Sequence, residues 1–224
     1  MATVKLLLIL VTVPAQFYAG TPPNARPPAE QLRDQSPLER LLPHLSWISK
    51  VCSPHCLTPT SLIAPQIIAC AWAALELVRL APPTPAFVTG TLLILAGAAL
   101  RALCFRTLGA SFTFELAIRP AHALVTRGVY AIVRHPSYTG IFALVAGWLL
   151  CLADYRACIV DMLGGNDGVV TAVMACMGAT MMGTCYVMLS RRMDKEDAML
   201  EDNFGEEWRA WVKRVPYRLV PGVC

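Results

Sequence analysis

Formal charge is what this sequence has least of. Only 15% of its 224 residues are Asp, Glu, Lys or Arg, against about 25% in an ordinary soluble domain. Nineteen basic and fifteen acidic residues leave a net charge of +4, too mild for a partner of nucleic acid. The sequence has neither a Gly-x-Gly-x-x-Gly fingerprint nor a phosphate loop, so a soluble Rossmann-type cofactor domain has no support. Cys52-Ser-Pro-His-Cys56 holds metal-capable residues, but no second ligand pair with finger spacing follows, and no metal is expected. The nine cysteines are odd in number and lie mostly inside apolar runs. They read as small buried hydrophobes, not as a disulfide framework.

What the chain has instead is apolar surface: 56% of its residues are AVILMFWYC and its mean hydropathy is +0.52. That excludes disorder and argues against a soluble globule. A spanning helix needs about 20 mostly apolar residues. The clearest candidate is the uncharged run 169–189. The expected fold is all-α, a single membrane-embedded domain over 1–224. It is a multi-pass bundle of about five spans near 4–20, 57–77, 84–104, 136–154 and 168–190, with a cytosolic C-terminal helical tail closing the active site.

The first span is the weakest. It is short and interrupted by Pro14, and Lys5 together with Ala19-Gly20 also fits a cleaved signal peptide. Basic residues decide between the two. Five spans gather the first loop (Arg26, Arg33, Arg40, Lys50), the third loop (Arg101, Arg106, Arg119, Arg127, Arg134) and the basic tail on one side, leaving Lys5, Arg79 and Arg156 on the other. Basic residues favour the cytoplasmic face, so the third loop and the C-terminus are expected in the cytosol. Between the first two spans, residues 21–43 are Pro-rich and read as a linker. Residues 38–51 read as a short amphipathic segment on the membrane surface. In the last span Ala175, Ala179 and Gly183 form a small-xxx-small pattern suited to close helix approach, and its methionines read as packing material. Gly164-Gly-Asn-Asp-Gly168 reads as a short luminal turn.

Two polar stretches lie at membrane edges. In 121–140, Pro136 suits the first turn of the fourth span and pushes His135 toward an extended conformation. Exposed backbone donors there would suit an anion; alternatively Arg127, Arg134, Tyr130 and Tyr138 only anchor the lipid interface. Beyond the last span, Arg192 and Glu196 share a helical face. A surface ion pair is the plain reading, but opposite charges at the exit of a span are functional candidates. Met199, Leu200, Phe204, Trp208 and Trp211 form an apolar stripe beyond them, broken by Gly205.

These residues carry a resemblance. His122-x-Leu-Val-Thr-x-Gly-Val-Tyr130, Arg134-His-Pro-Ser-Tyr-x-Gly140, Arg192-x-x-x-Glu196-Asp-x-x-Leu200, Phe204-Gly-Glu-Glu207 and Arg214-Val-Pro216 together resemble the isoprenylcysteine carboxyl methyltransferase family of the endoplasmic reticulum. The likeness covers about residues 106–221. It implies an S-adenosylmethionine-dependent methyltransferase, a multi-pass protein of the endoplasmic reticulum membrane, that esterifies the C-terminal carboxylate of a prenylated cysteine. It further implies that His122, Ala123, Leu124, Val125, Tyr130, His135, Pro136, Ser137 and Tyr138 line the cofactor, with Glu196 as an acidic cofactor contact and Arg192 at the substrate. Glu115 falls where the family can place a cofactor-contacting Gln. Asp197 replaces the second Glu of a usual pair, and Trp208 and Trp211 stand where Tyr is common, changes that read as matters of packing. A phospholipid or other small-lipid methyltransferase on the same scaffold is the alternative. Arg214-Val-Pro-Tyr-Arg-Leu-Val-Pro221 also resembles the tail of membrane sterol reductases, and a non-catalytic membrane scaffold is the remaining reading.

Overall fold

Each helix begins and ends where local chemistry requires it. The computed structural model describes residues 2–21, 23–24, 82–113, 123–154, 156, 160 and 166–223, and among these every regular element is helical. The expected span at 57–77, the linker, the amphipathic segment and Cys52/Cys56 lie outside the described residues. Helix α1 (Ala2–Gly20) runs through Pro14 without a break. Helix α2 (Pro85–Leu108) opens with Pro85 at a first-turn position and the Thr84 hydroxyl accepting from the Phe87 N–H, a capped start. Helix α3 (Pro136–Ala153) opens on Pro136. Helix α4 (Asp167–Phe204) is capped by the Asn166 side chain, so Asp167 and Gly168 are its first residues rather than part of a turn. It stops at Gly205, whose φ of +50° favours glycine. Helix α5 (Glu206–Arg214) starts with two acids and ends with two bases, the arrangement its dipole prefers.

Helices α2, α3 and α4 are long and apolar enough to cross a membrane, while the apolar part of α1, Val4–Gly20, is shorter. The 38 residues of α4 extend about 57 Å at 1.5 Å per residue, well beyond a hydrocarbon core of about 30 Å. The last span and the charged segment after it are therefore one continuous rod.

The tightest pairing is between α2 and α3, which run antiparallel with glycine facing glycine. A Cβ at Gly90 would meet the Gly147 carbonyl at 2.6 Å, and one at Gly97 would meet the Gly140 carbonyl at 2.6 Å. Backbones this close exchange dispersion contacts that no larger side chain permits. The small-residue stripe read in the last span has no such role among the described residues, since a Cβ at Gly183 would meet nothing within 4 Å. The methionines there are likewise not core: Met177 is 54% exposed.

Helix α1 lies parallel to α2, tied at both ends. At one end the buried Lys5 ammonium donates to Asp154 at 2.9 Å and sits 4.9 Å from the Phe87 ring centroid, and the Thr84 hydroxyl also donates to Asp154. At the other, Arg101 donates from Nε to the Ala19 carbonyl at 2.7 Å, and the Asn24 amide reaches the Gly109 and Phe112 carbonyls. Arg101, expected in a loop, is inside α2 and 3% exposed.

Substituting Gly147→Leu is expected to destabilise the bundle by about 1–3 kcal/mol or more, because backbone leaves no room for the side chain. Gly183→Leu is expected to change stability by less than about 0.5 kcal/mol. Thermal unfolding of both variants in detergent checks the contrast.

Candidate active site

The end of the bundle that holds Arg101 also gathers the polar residues of both sequence stretches. Pro136 is fully buried at the start of α3, and His135 before it has φ −123° and ψ 57°, outside the helical region as a residue preceding proline should be. The turn is nevertheless covered rather than open. The tail returns across it: the Arg134 and His135 N–H groups donate to the Tyr217 and Arg218 carbonyls at 2.9 and 2.8 Å, and the Thr139 hydroxyl donates to the Leu219 carbonyl at 2.7 Å. Backbone donors expected to face an anion are therefore partly taken up by the chain itself.

Onto this turn α4 lowers two adjacent carboxylates. The Tyr138 hydroxyl donates to Glu196 Oε2 at 2.6 Å and accepts from Arg192 Nε at 2.9 Å. Arg192 and Glu196 thus meet through a phenol, an arrangement richer than a surface pair. The His135 ring stacks on the Tyr138 ring, with centroids 5.5 Å apart and 17° between planes. Its Nε2 lies 2.8 Å from Asp197 Oδ1, and its Nδ1 lies 3.8 Å from Glu196 Oε2. Asp197 Oδ2 accepts from Arg134 at 3.0 Å and lies 3.1 Å from Arg218. Arg134 also reaches the Pro216 carbonyl at 3.3 Å, and its buried Nε has no hydrogen-bond partner among the described residues. The expectation that Asp197 concerns packing is corrected: it is 8% exposed and holds the turn, the tail and α4 together.

The other expected residues divide. Ser137 is present through its hydroxyl and carbonyl, both of which accept from Arg101, at 2.8 and 3.3 Å. Leu124 and Val125 pack against a buried apolar cluster of Cys104, Tyr130, Trp208, Trp211 and Val215, while Ala123 is exposed. Glu115 and His122 lie outside the described residues. The apolar stripe beyond Arg192 is also accounted for. Trp208 and Trp211 meet edge to face at 5.0 Å, and Trp211 donates to the Tyr130 carbonyl at 3.2 Å, so α5 caps the bundle. Arg101 and Asp197 are the residues that sequence reasoning missed. For Arg101 the available signal was a charge within reach of the third span, which read as a topological marker.

Local electrostatics follow the burial. The Tyr130 phenol is pushed far up, first by burial and then by Cys104 and Glu196, so it stays neutral. Burial lowers Arg134 with Asp197 opposing, and it remains a cation. Asp197, beyond the uncharged run of α4, is pushed up by burial, but the His135 hydrogen bond, His135, Arg134 and Arg218 outweigh this and hold it below the usual carboxylate range. A carboxyl lowered on folding contributes stability that is present above its ordinary value of about 3.9 and is lost as pH falls through the folded value. Acidification should therefore lower the melting temperature, and Asp197→Asn is expected to lower it at neutral pH and flatten its fall below about pH 4. Melting curves in detergent across pH provide the check.

Comparison with known proteins meets the same residues. Residues 90–165 match the model described as the isoprenylcysteine carboxyl methyltransferase (ICMT) family; this takes in most of α2 and all of α3 but stops short of Arg192, Glu196 and Asp197. The chain is 32% identical over 134 residues to the human protein named protein-S-isoprenylcysteine O-methyltransferase, covering 58% of this chain and 39% of that one. It is 30% identical over 132 residues to protein-S-isoprenylcysteine O-methyltransferase B of Arabidopsis thaliana, covering 57% and 55%. Against the Schizosaccharomyces pombe protein of the same name as the human one, identity is 29% over 122 residues, covering 54% and 43%. The match thus spans between about two fifths and just over half the length of these relatives. Most of α2 and all of α3, with their glycine seam and the His135-Pro136 turn, lie in the segment that is similar to the isoprenylcysteine carboxyl methyltransferase family.

Proposed function

We propose that this protein transfers a methyl group from S-adenosylmethionine to the C-terminal carboxylate of a prenylated cysteine. The observation that carries the reading is the convergence of Arg192, Tyr138 and Glu196 on one hydroxyl at the junction of α3 and α4. Cation and carboxylate stand side by side there, as a reaction between an anionic acceptor and a cationic donor requires. The donor set fits. Glu196 and His135 offer acceptor atoms toward a cationic ligand, and Tyr130, Trp208 and Trp211 form a buried apolar cluster at the same end of the bundle.

When bound, S-adenosylmethionine would supply an electrophilic methyl on a sulfonium. A terminal carboxylate, with an ordinary pKa of about 3.3–3.7, is already anionic, so no general base is needed. The methyl so supplied would end on that carboxylate as a neutral ester, leaving a thioether behind and no proton for the chain to move. The chain's own work is to bind, align and exclude water. Arg192 is suited to hold the carboxylate, Glu196 and His135 to hold the donor, and Ala123, Leu124, Val125, Pro136 and Ser137 to shape the wall beside it. Alignment of this kind can supply several kcal/mol, and loss of hydration from both ions adds to it. The exposed apolar residues of α4 nearest Arg192, Tyr186 and Val187, suit a prenyl chain arriving through the bilayer, at about 0.8 kcal/mol per buried CH₂.

The parallel run of α1 and α2 supports the five-span reading. With the basic loop and tail at the end that holds Arg192, that end is assigned to the cytosol, in the endoplasmic reticulum membrane.

Purified protein supplied with labelled donor and a farnesylated cysteine analogue is expected to form a base-labile methyl ester. Methylated lipid without ester would replace this reading with the small-lipid alternative. Arg192→Ala is expected to lose at least about two orders of magnitude in turnover, the scale of removing a charge-positioning donor, while still inserting in membranes. Full activity of that variant would refute its role.

A further inference from the structure

Asp197 is assigned no part in holding either reactant, yet it is buried and its two oxygens have different partners. Oδ1 faces His135 Nε2 at 2.8 Å, while Oδ2 takes the guanidinium groups of Arg134 and Arg218 at 3.0 and 3.1 Å. A carboxylate can only accept, so Nε2 carries a proton. Nδ1 is different: Glu196 Oε2 is 3.8 Å away, beyond hydrogen-bond reach, although the same oxygen takes a bond from Tyr138 at 2.6 Å. That gap is what two acceptors keep when neither can donate to the other. The stack on Tyr138 and the tail carbonyls on the Arg134 and His135 backbone fix the ring in this orientation.

We propose that Asp197 is a positioning residue that keeps the ring proton of His135 on Nε2, so that Nδ1 and Glu196 present paired acceptors to the ammonium end of the methyl donor. The donor half of this statement rests on the methyl-transfer reading; the ring-proton half rests on geometry alone. The logic is that of a buried carboxylate setting an imidazole tautomer. It also says what an amide would do at this position. Arg134 donates to Oδ2 and the Arg218 guanidinium lies 3.1 Å from it, so the oxygen of an Asn would turn toward them and its NH₂ toward His135. Nε2 would then have to offer a lone pair, moving the ring proton to Nδ1, where it would donate toward Glu196 and spoil the cradle.

The test uses the full chain in detergent with ¹⁵N-labelled histidine, at alkaline pH where an ordinary imidazole is neutral. The four histidines are distinguished by comparison with His135→Gln. Wild type is expected to show His135 protonated on Nε2, and Asp197→Asn is expected to show it on Nδ1. Calorimetry with S-adenosylhomocysteine is expected to give a dissociation constant raised by about tenfold or more in Asp197→Asn, the usual scale for losing a ligand-orienting partner. Asp197→Glu, which keeps the carboxylate, is expected to restore most of the affinity. A wild-type ring protonated on Nδ1, or an Asn variant that keeps the Nε2 proton, would overturn the proposal. So would a reversed tautomer with unchanged affinity. Wild type that binds neither S-adenosylhomocysteine nor S-adenosylmethionine would instead overturn the methyl-transfer reading and with it the donor half, while the ring-proton measurements would still decide the other half.

Discussion

Two neighbouring carboxylates, Glu196 and Asp197, docked on the turn that opens α3, are the interaction on which the rest of this structure depends. Partly or fully buried acids are costly unless they are hydrogen-bonded and paired. Here both are satisfied, by different partners. Tyr138 bonds to Glu196. His135, Arg134 and Arg218 surround Asp197. The partners come from the turn of α3 and from the tail, so the acids on α4 are satisfied only when all three parts are in place. A site built this way is either assembled or absent, which suits the proposed reaction between two charged reactants.

The scaffold delivers α3 to that position by contact rather than by charge. Facing glycines bring α2 and α3 so close that their carbonyls leave no space for a side chain. The pair is then tied to α1 by buried cations at opposite ends, Lys5 on Asp154 and Arg101 on Ala19 and Ser137. Arg101 links the framework to the site directly, since Ser137 belongs to the first turn of α3. Helix α4 is the exception. It meets α3 lightly, through pairs such as Phe142 with Tyr186, and is otherwise uncovered by described residues through its apolar stretch. Among the described residues its main attachment is the polar docking at its far end.

Much of this was legible in the sequence, and what was missed has a common cause. Helix type, the start of α3 at Pro136 and the placing of Arg192 and Glu196 on one helical face follow from local rules: length of apolar runs, the geometry that proline imposes, the spacing of residues on a helix. The continuity of α4 was half legible, since Gly205 marks its end plainly but nothing local says that the last span continues into the charged segment. Arg101 and Asp197 were misread because their meaning is tertiary. An arginine near the end of a span looks like a topological anchor until the helix that covers it is known. An aspartate replacing a glutamate looks like a change of size until its three partners, His135, Arg134 and Arg218, are seen. The glycine seam was hidden for the same reason: Gly90, Gly97, Gly140 and Gly147 repeat at seven residues in each helix, but only their mutual facing gives the repeat a function. The small residues of the last span have the more familiar spacing and no described partner.

The claim that one site is formed by the turn of α3 and the charged part of α4 acting as a unit is tested most directly by a double-mutant cycle. Donor affinity would be measured for wild type, Tyr138→Phe, Glu196→Gln and the double variant. Strong non-additivity is expected, with the second substitution costing little once the first has broken the shared hydrogen bond. Independent, additive losses would contradict it.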